Sequence, residues 1–168
     1  TYNGHWNVWG DHGWLDFRIT SEDEMRRCML EAEERGYLVS CNHPRPYGPD
    51  WNFPAVDTFD CVEVWNGPWR LANDVCLGFW ERHLRAGKRY TAVGGSDSYC
   101  EGNPSPAKIL ANLRAGHSFI SDSPDGAQLY FSVNHAMVGN TLRVQQGEQV
   151  IPTVRAMNAK GNILQLIG

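Results

Sequence analysis

The sequence has few charged residues, no basic cluster and no long apolar run. Charged residues make up 20% of the 168 positions, and 15 basic against 19 acidic residues give a formal net charge of −4. A mildly acidic chain without a basic patch argues against nucleic acid as the main partner. Apolar runs of strand length predict no membrane span. A hydrophobic content of 42% excludes a disordered chain.

The chain also lacks paired cysteine motifs. Its five cysteines are widely spaced and form no CxxC pair, which argues against a disulfide framework or a zinc ribbon. We interpret them as small buried residues in reduced form, which favours a reducing compartment such as the cytoplasm. The chain begins at Thr1 without signal-peptide features, and we expect it to be a piece of a longer protein at both ends.

What the sequence does contain is an alternation of strand and helix patterns up to about residue 123. A strand pattern over Gly4–Gly10 precedes a capping box at Ser21–Glu24. This alternation predicts an α/β fold with a parallel sheet. Further predicted strands are 37–41, 61–65, 90–94 and 118–121, and predicted helices are 22–35, 71–86 and one from Ser105–Pro106 to Gly116.

The rhythm changes after about residue 124. Strand patterns at 128–133, 149–155 and 163–167 follow one another without helices between them. We therefore predict two parts, an α/β portion over 1–123 and a β-rich extension over 124–168 that resembles the start of a β-sandwich. We expect no metal ligand from the second part.

Ionisable residues stand at strand ends in the first part. His5 follows Gly4, His43 ends one predicted strand and Asp97 ends a later one. Two imidazoles and a carboxylate are a common ligand set for transition metals. Capping or hydrogen-bonding roles at turns remain open for each residue taken alone.

Four segments together are similar to one family. They are Ser40–Pro44 (SCNHP), Val62–Gly67 (VEVWNG), Gly87–Asp97 (GKRYTAVGGSD) and Leu113–Ser121 (LRAGHSFIS). In order and spacing they resemble the PHP (polymerase and histidinol phosphatase) superfamily, in particular its CehA/McbA-like metallohydrolases. The Gly4–His5 pair looks like the Gly-His motif of that group, and the resemblance extends over about 1–123.

The resemblance implies a distorted β/α barrel, of which this chain would hold the C-terminal half. It implies a cluster of divalent metal ions (Mn, Zn or Fe) at the strand ends and hydrolysis of phosphate or carboxyl and carbamate esters. His5 and His43 would bind one ion and Asp97 another. Tyr99 stands where the family's Asp-x-His motif has histidine, and a phenol suits iron or manganese better than zinc.

Two residues of the second segment, Val62–Gly67, are predicted to act in catalysis. Glu63, or a residue that these 168 positions do not contain, would handle protons, and Asn66 would orient a ligand or the substrate. The alternative for both is hydrogen bonding at the end of a strand. Trp51, Trp65 and Trp69 are candidates for the walls of a pocket for an aromatic or sugar substrate, with anchoring of core or loops as the alternative.

Departures from the family shape the functional prediction. The family's His-x-His pair, Asp-His motif and bridging Glu precede its Gly-His motif, and these 168 residues contain none of them. We predict a metal-dependent hydrolase of small-molecule esters, and we expect the isolated 168-residue chain to bind metal weakly. The alternative is a degenerate PHP-like module that binds a ligand or partner without catalysis. A carbohydrate-binding module is supported only by the tryptophans. An open sheet edge would need a second copy or a further N-terminal segment to cover it.

Overall fold

The computed structural model describes residues 3–45, 51–53, 58–95 and 105–167, so Asp97 and Tyr99 lie outside the described residues. The fold is mixed α/β, as predicted, and within these ranges the strands form no closed barrel. In chain order the elements are β1 (His5–Trp9), α1 (Glu22–Glu34), β2 (Leu38–Asn42), β3 (Cys61–Asn66), α2 (Leu71–Arg85), β4 (Thr91–Gly95), α3 (Pro106–Ala115), β5 (Gln128–Val133), β6 (Ala136–Met137) and β7 (Pro152–Met157).

Helix α1 begins at the predicted capping box. The Glu24 amide donates to Ser21 Oγ at 3.3 Å, and the Ser21 amide donates to the Glu24 carboxylate at 3.1 Å. Both bonds satisfy donors that the first helical turn would otherwise leave without partners. This helix has a buried apolar stripe that comprises Met25, Cys28, Met29 and Ala32.

The first sheet has the order β1-β2-β3-β4. Strands β2, β3 and β4 pair in parallel, which confirms the predicted pairing of these three strands. Strand β1 instead pairs antiparallel with β2, so that Trp9 lies beside Leu38. After Trp9 the segment 10–20 runs away from this end of the sheet, and α1, whose 13 residues span about 20 Å, runs back to it. Strand β2 therefore starts at the end of the sheet where β1 finished, and the two strands pair antiparallel.

The two faces of this sheet differ in chemistry. Alternate residues of β2 and β3 (Val39, Cys41, Val62 and Val64) belong to a buried core with the apolar stripe of α1, and Phe79 and Trp80 of α2 pack against that core. The Trp80 indole donates to the Tyr90 carbonyl at 2.8 Å. Because side chains alternate along a strand, Ser40, Asn42 and Glu63 lie on the opposite face.

The second sheet is antiparallel, with the order β6-β5-β7. Strand β5 has the predicted bounds, β7 is shifted by two to three residues, and the short β6 was not predicted. The predicted strands 118–121 and 163–167 are not strands in the structure. Segment 118–121 is held by a side-chain hydrogen bond, since Ser118 Oγ donates to the Ala92 carbonyl at 3.3 Å. In segment 163–167, Ile163 is 95% exposed.

A close backbone contact joins the two sheets. The Cα of Gly139 lies against Gly116 at the end of α3, where an added Cβ would be only 2.1 Å from the Ala115 carbonyl oxygen. Arg89 donates to the Gly139 carbonyl at 3.0 Å, and His117 Nε2 lies 3.0 Å from Asn140 Oδ1.

None of the helices in the described ranges has the length and apolar character that a membrane span requires.

Candidate metal centre

The antiparallel pairing of β1 brings His5 and His43 together. His5, at the start of β1, pairs with Asn42, at the carboxyl end of β2. His43 is the next residue after Asn42. His5 Nδ1 is 3.2 Å from His43 Nε2, and the ring centroids are 5.1 Å apart at an interplanar angle of 79°. The predicted convergence of the two imidazoles is confirmed. Their role as metal ligands remains a prediction.

His43 has an unusual backbone conformation. Its φ is +32°, which is rare for a residue with a Cβ, and the side chain is buried with 6% exposure. Proline follows at position 44, and a residue before proline is further restricted. Such a conformation costs about 1–3 kcal/mol and occurs often at functional sites. The strain therefore supports a functional role for His43 rather than a role in packing alone.

The distance between the imidazoles fits a shared metal ion. Two nitrogens bonded to one ion at ~2.1 Å lie about 3.0 Å apart at an octahedral angle and about 3.4 Å apart at a tetrahedral angle. The observed 3.2 Å falls in this range, and it also suits a hydrogen bond between the rings. Among the described residues, no group of three or more His, Cys, Asp or Glu side chains completes a site. Any third ligand from Asp97 or Tyr99 lies outside that part of the chain.

Strand β3 brings Glu63 and Asn66 to one face by means of an irregularity. Residues three apart normally point to opposite faces of a strand. The register with β4 shifts between Glu63 and Trp65, and this β-bulge reverses the alternation. Asn66 Nδ2 consequently donates to Glu63 Oε1 at 3.3 Å. The two predicted catalytic residues therefore form one hydrogen-bonded pair, with Glu63 8% exposed.

Asn73 of α2 is a site residue that the sequence analysis did not identify. It is buried, its Oδ1 accepts from the Asn66 amide at 3.2 Å, and its Nδ2 donates to the Pro68 carbonyl at 3.3 Å. These bonds fix the end of β3 and with it the position of Asn66. Its spacing is the indication in the sequence, because Asn73 stands three positions before Cys76 and so lies on the same, buried side of the helix.

The neighbouring cysteines remain thiols at neutral pH. Cys28, Cys41, Cys61 and Cys76 are free and buried. Burial raises the pKa of Cys61 to about 12 and that of Cys76 to about 11. Burial, and after it the proximity of Cys76 and Glu63, also raises the pKa of Cys41. Because the thiolate is the form that binds metals and acts as a nucleophile, burial makes these thiols poor candidates for either role.

The tryptophans divide between two environments. Trp65 and Trp69 contact each other edge to face and line an open cleft next to the carboxyl ends of β3 and β4. Trp51 instead packs on Phe53 and Phe59, in agreement with the alternative that it anchors the core or a loop. The structure thus places two of the three candidate wall residues at one cleft.

The remaining histidines lie apart from the pair. His12 contacts the Tyr37 ring edge to face, and His83 Nδ1 lies 2.8 Å from the Phe79 carbonyl oxygen. His117 faces Asn140 at the junction of the two sheets. His135 is exposed in the turn between β5 and β6. Among the described histidines, only His5 and His43 approach each other.

Comparisons of the chain with protein-family models, with curated proteins and with solved structures found no match. The resemblance to the PHP superfamily therefore still depends on the four sequence segments, and the family assignment remains a prediction.

Proposed function

We propose that this chain carries part of the active site of a PHP-type, metal-dependent hydrolase of phosphate or carboxyl and carbamate esters. The observation that carries the proposal is the 3.2 Å approach of His5 Nδ1 and His43 Nε2 at the carboxyl edge of the parallel strands. Active sites of α/β proteins lie at this edge. In the proposal, the four-stranded sheet is a portion of a distorted β/α barrel.

His5 and His43 would hold a divalent ion, with Asp97 and Tyr99 as the further ligands that the family resemblance suggests. When bound, such an ion lowers the pKa of a water ligand and polarises the phosphoryl or carbonyl oxygen of an ester. The protein fixes the direction from which the imidazoles approach, because His5 is part of the β1–β2 ladder. The strained His43 backbone sets the second direction.

Glu63 would take up and release the proton of the hydrolysis. It lies on the same face as Asn42 and His5, since Ser40 pairs with Cys61 and side chains alternate from there. The Asn66 side-chain amide donates to one carboxylate oxygen at 3.3 Å, which orients the Glu63 carboxylate. Asn73 holds Asn66 in place through its backbone amide.

Metal binding tests the first half of the proposal. We would titrate Mn²⁺ and Zn²⁺ separately into the purified 168-residue chain by calorimetry. We expect weak but saturable binding that His5→Ala and His43→Ala each abolish. His135→Ala is the matched control, because that histidine is exposed and distant from the pair, and it should bind metal like the wild type. Equal binding by His43→Ala and His135→Ala would overturn the proposed centre.

Turnover tests the second half. With Mn²⁺ or Zn²⁺ present, we expect slow release of nitrophenol from a chromogenic phosphate ester or carboxyl ester. Glu63→Gln should retain metal binding and lose at least ~100-fold in rate, the typical contribution of a positioned general base. Metal binding without any turnover would refute hydrolysis and favour the alternative, a module that binds a ligand without catalysis.

A further inference from the structure

A cleft of about 880 Å³ opens beside the carboxyl ends of β3 and β4, and the proposed hydrolysis assigns it no role. Three aromatic side chains line it, Trp65, Trp69 and Phe119, together with the carboxylate of Asp122. Trp69 and Phe119 are 47% and 45% exposed, so much of their ring surface is open to a ligand. An exposed group of aromatic rings inside a concavity is unusual and calls for an occupant.

The aromatic walls are arranged as neighbouring sides of a cage. The ring centroids of Trp65 and Trp69 are 4.8 Å apart, and the ring planes meet at 80°. The Trp65 indole N–H is already used, because it donates to the Gly67 carbonyl at 2.8 Å. The Trp65 N–H is therefore not available to a ligand.

The charge of the cleft has one sign. Asp122 is the only ionisable residue among its described lining residues, and no basic side chain offsets it there. Ser121 Oγ donates to Asp122 Oδ1 at 3.4 Å, which leaves the other carboxylate oxygen for a ligand. The faces of aromatic rings are also negative, since the ring quadrupole concentrates electron density above the plane.

We propose that this cleft binds an organic cation, namely a quaternary or alkylated ammonium group. Such a group gains cation–π attraction from the rings, burial of its methyl groups and attraction to the carboxylate. A neutral sugar would stack on the rings and bond to the carboxylate, but it would gain neither the cation–π attraction nor the charge attraction to Asp122. The proposal that the cleft binds a cation depends only on this geometry. A role of the cleft in selecting ester substrates that carry such a cation would rest on the proposed function.

The test compares a cation with its uncharged isostere. We would titrate choline and 3,3-dimethylbutan-1-ol into the full 168-residue chain without metal and follow binding by tryptophan fluorescence and by NMR. We expect saturable choline binding in the millimolar range and binding of the alcohol weaker by about fivefold or more. Absence of saturable choline binding, or equal binding of the two compounds, would overturn the proposal. Stronger binding of methyl glucoside than of choline would overturn it in favour of a sugar site.

Variants locate the binding. Trp69→Leu and Asp122→Asn should each weaken choline binding by about three- to fivefold, and both residues are on the surface, so the fold should survive. Trp14→Leu is the matched control, because Trp14 is 71% exposed and contacts Phe17 away from the cleft. A Trp14→Leu effect as large as that of Trp69→Leu would place the cation elsewhere and refute the cleft.

His43→Ala separates the two proposals, because it should abolish metal binding and leave choline binding unchanged. If choline fails to bind while the metal titration succeeds, only the cation site is refuted. If metal binding fails while choline binds, the cation site stands and the hydrolase is refuted.

Discussion

The two sheets of this chain differ in what covers their side chains. Every buried apolar residue that the structure describes lies between Met25 and Tyr90, in the α/β part. In the C-terminal sheet, Leu129, Tyr130 and Met137 are 43–54% exposed. The first sheet is therefore stabilised by burial of apolar surface, worth roughly 25 cal/mol per Å². The second depends on its backbone ladder and on the contact of Gly139 with α3.

This difference explains where the candidate site lies. A catalytic centre needs side chains held within fractions of an ångström, and a packed core provides that rigidity. His5, Glu63 and Asn66 stand on strands of the covered sheet, and His43 directly follows β2. Regions with few buried contacts open locally at a lower free energy. We therefore expect the C-terminal sheet to unfold before the site is lost.

Replacement of matched methionines gives the largest expected difference between the regions. Met29 is 1% exposed in the core, whereas Met137 is 54% exposed in β6. Met29→Ala should lower the free energy of unfolding by about 2–5 kcal/mol because it leaves a cavity. Met137→Ala should cost at most about 0.5 kcal/mol. Urea denaturation followed by circular dichroism measures both, and equal losses would show that the two regions do not differ in packing.

Two glycines test the junction between the sheets. Gly139 and Gly147 have nearly the same φ, +87° and +88°, but only Gly139 has neighbours within 4 Å of an added Cβ. Gly147→Ala should cost about 1 kcal/mol from backbone strain alone. Gly139→Ala should cost at least about 1–2 kcal/mol more and raise hydrogen exchange throughout β5–β7. Identical exchange in the two variants would show that the Gly116–Gly139 contact does not hold the second sheet.

Alkaline pH should destabilise the α/β part selectively. The pKa values of Cys61 and Cys76 are raised from 9.0 to about 12 and about 11. Above pH 9 the unfolded chain ionises these thiols and the folded chain does not, so stability falls as the pH rises towards 11. The fall at pH 10 should be about 1 kcal/mol per thiol.

The double variant Cys61→Ala/Cys76→Ala is the comparison for this pH dependence. Its unfolding free energy, measured in urea under reducing conditions, should fall less between pH 7 and pH 10 than that of the wild type. The same fall in both proteins would show that other groups cause the alkaline destabilisation.

The smallest expected effect concerns two helix caps. Ser21 caps α1 with its side chain, whereas Ser105 precedes α3 without a side-chain cap bond. Ser21→Ala should cost about 0.5–1 kcal/mol, and Ser105→Ala should be close to neutral. A larger loss for Ser105→Ala in thermal denaturation would mean that α3 contributes more to the fold than its lack of buried residues indicates.

Much of the local structure could be predicted because it depends on neighbours in the chain. The Ser21–Glu24 box and the buried stripe of α1 follow from spacing alone, and so do Pro106 at the start of α3 and the left-handed Gly116 at its end. Segment 163–167 shows the limit of such patterns. Its apolar residues fit a strand, but a strand needs a partner, and no described strand pairs with it.

The sequence by itself determined the candidate residues and the parallel pairing of three strands. The described candidates are His5, His43, Glu63 and Asn66, whereas Asp97 and Tyr99 lie outside the described residues. The resemblance predicted that His5 and His43 converge, but only the tertiary structure decided how they do so and that Asn66 bonds to Glu63. The antiparallel direction of β1 carries His5 to His43, and the bulge in β3 turns Asn66 towards Glu63. Both depend on how distant segments pair, and a residue pattern with a period of two or 3.6 contains no information on the partner strand. Asn73 was missed for the same reason, since its hydrogen bonds to the Asn66 amide and the Pro68 carbonyl exist only once α2 packs on β3.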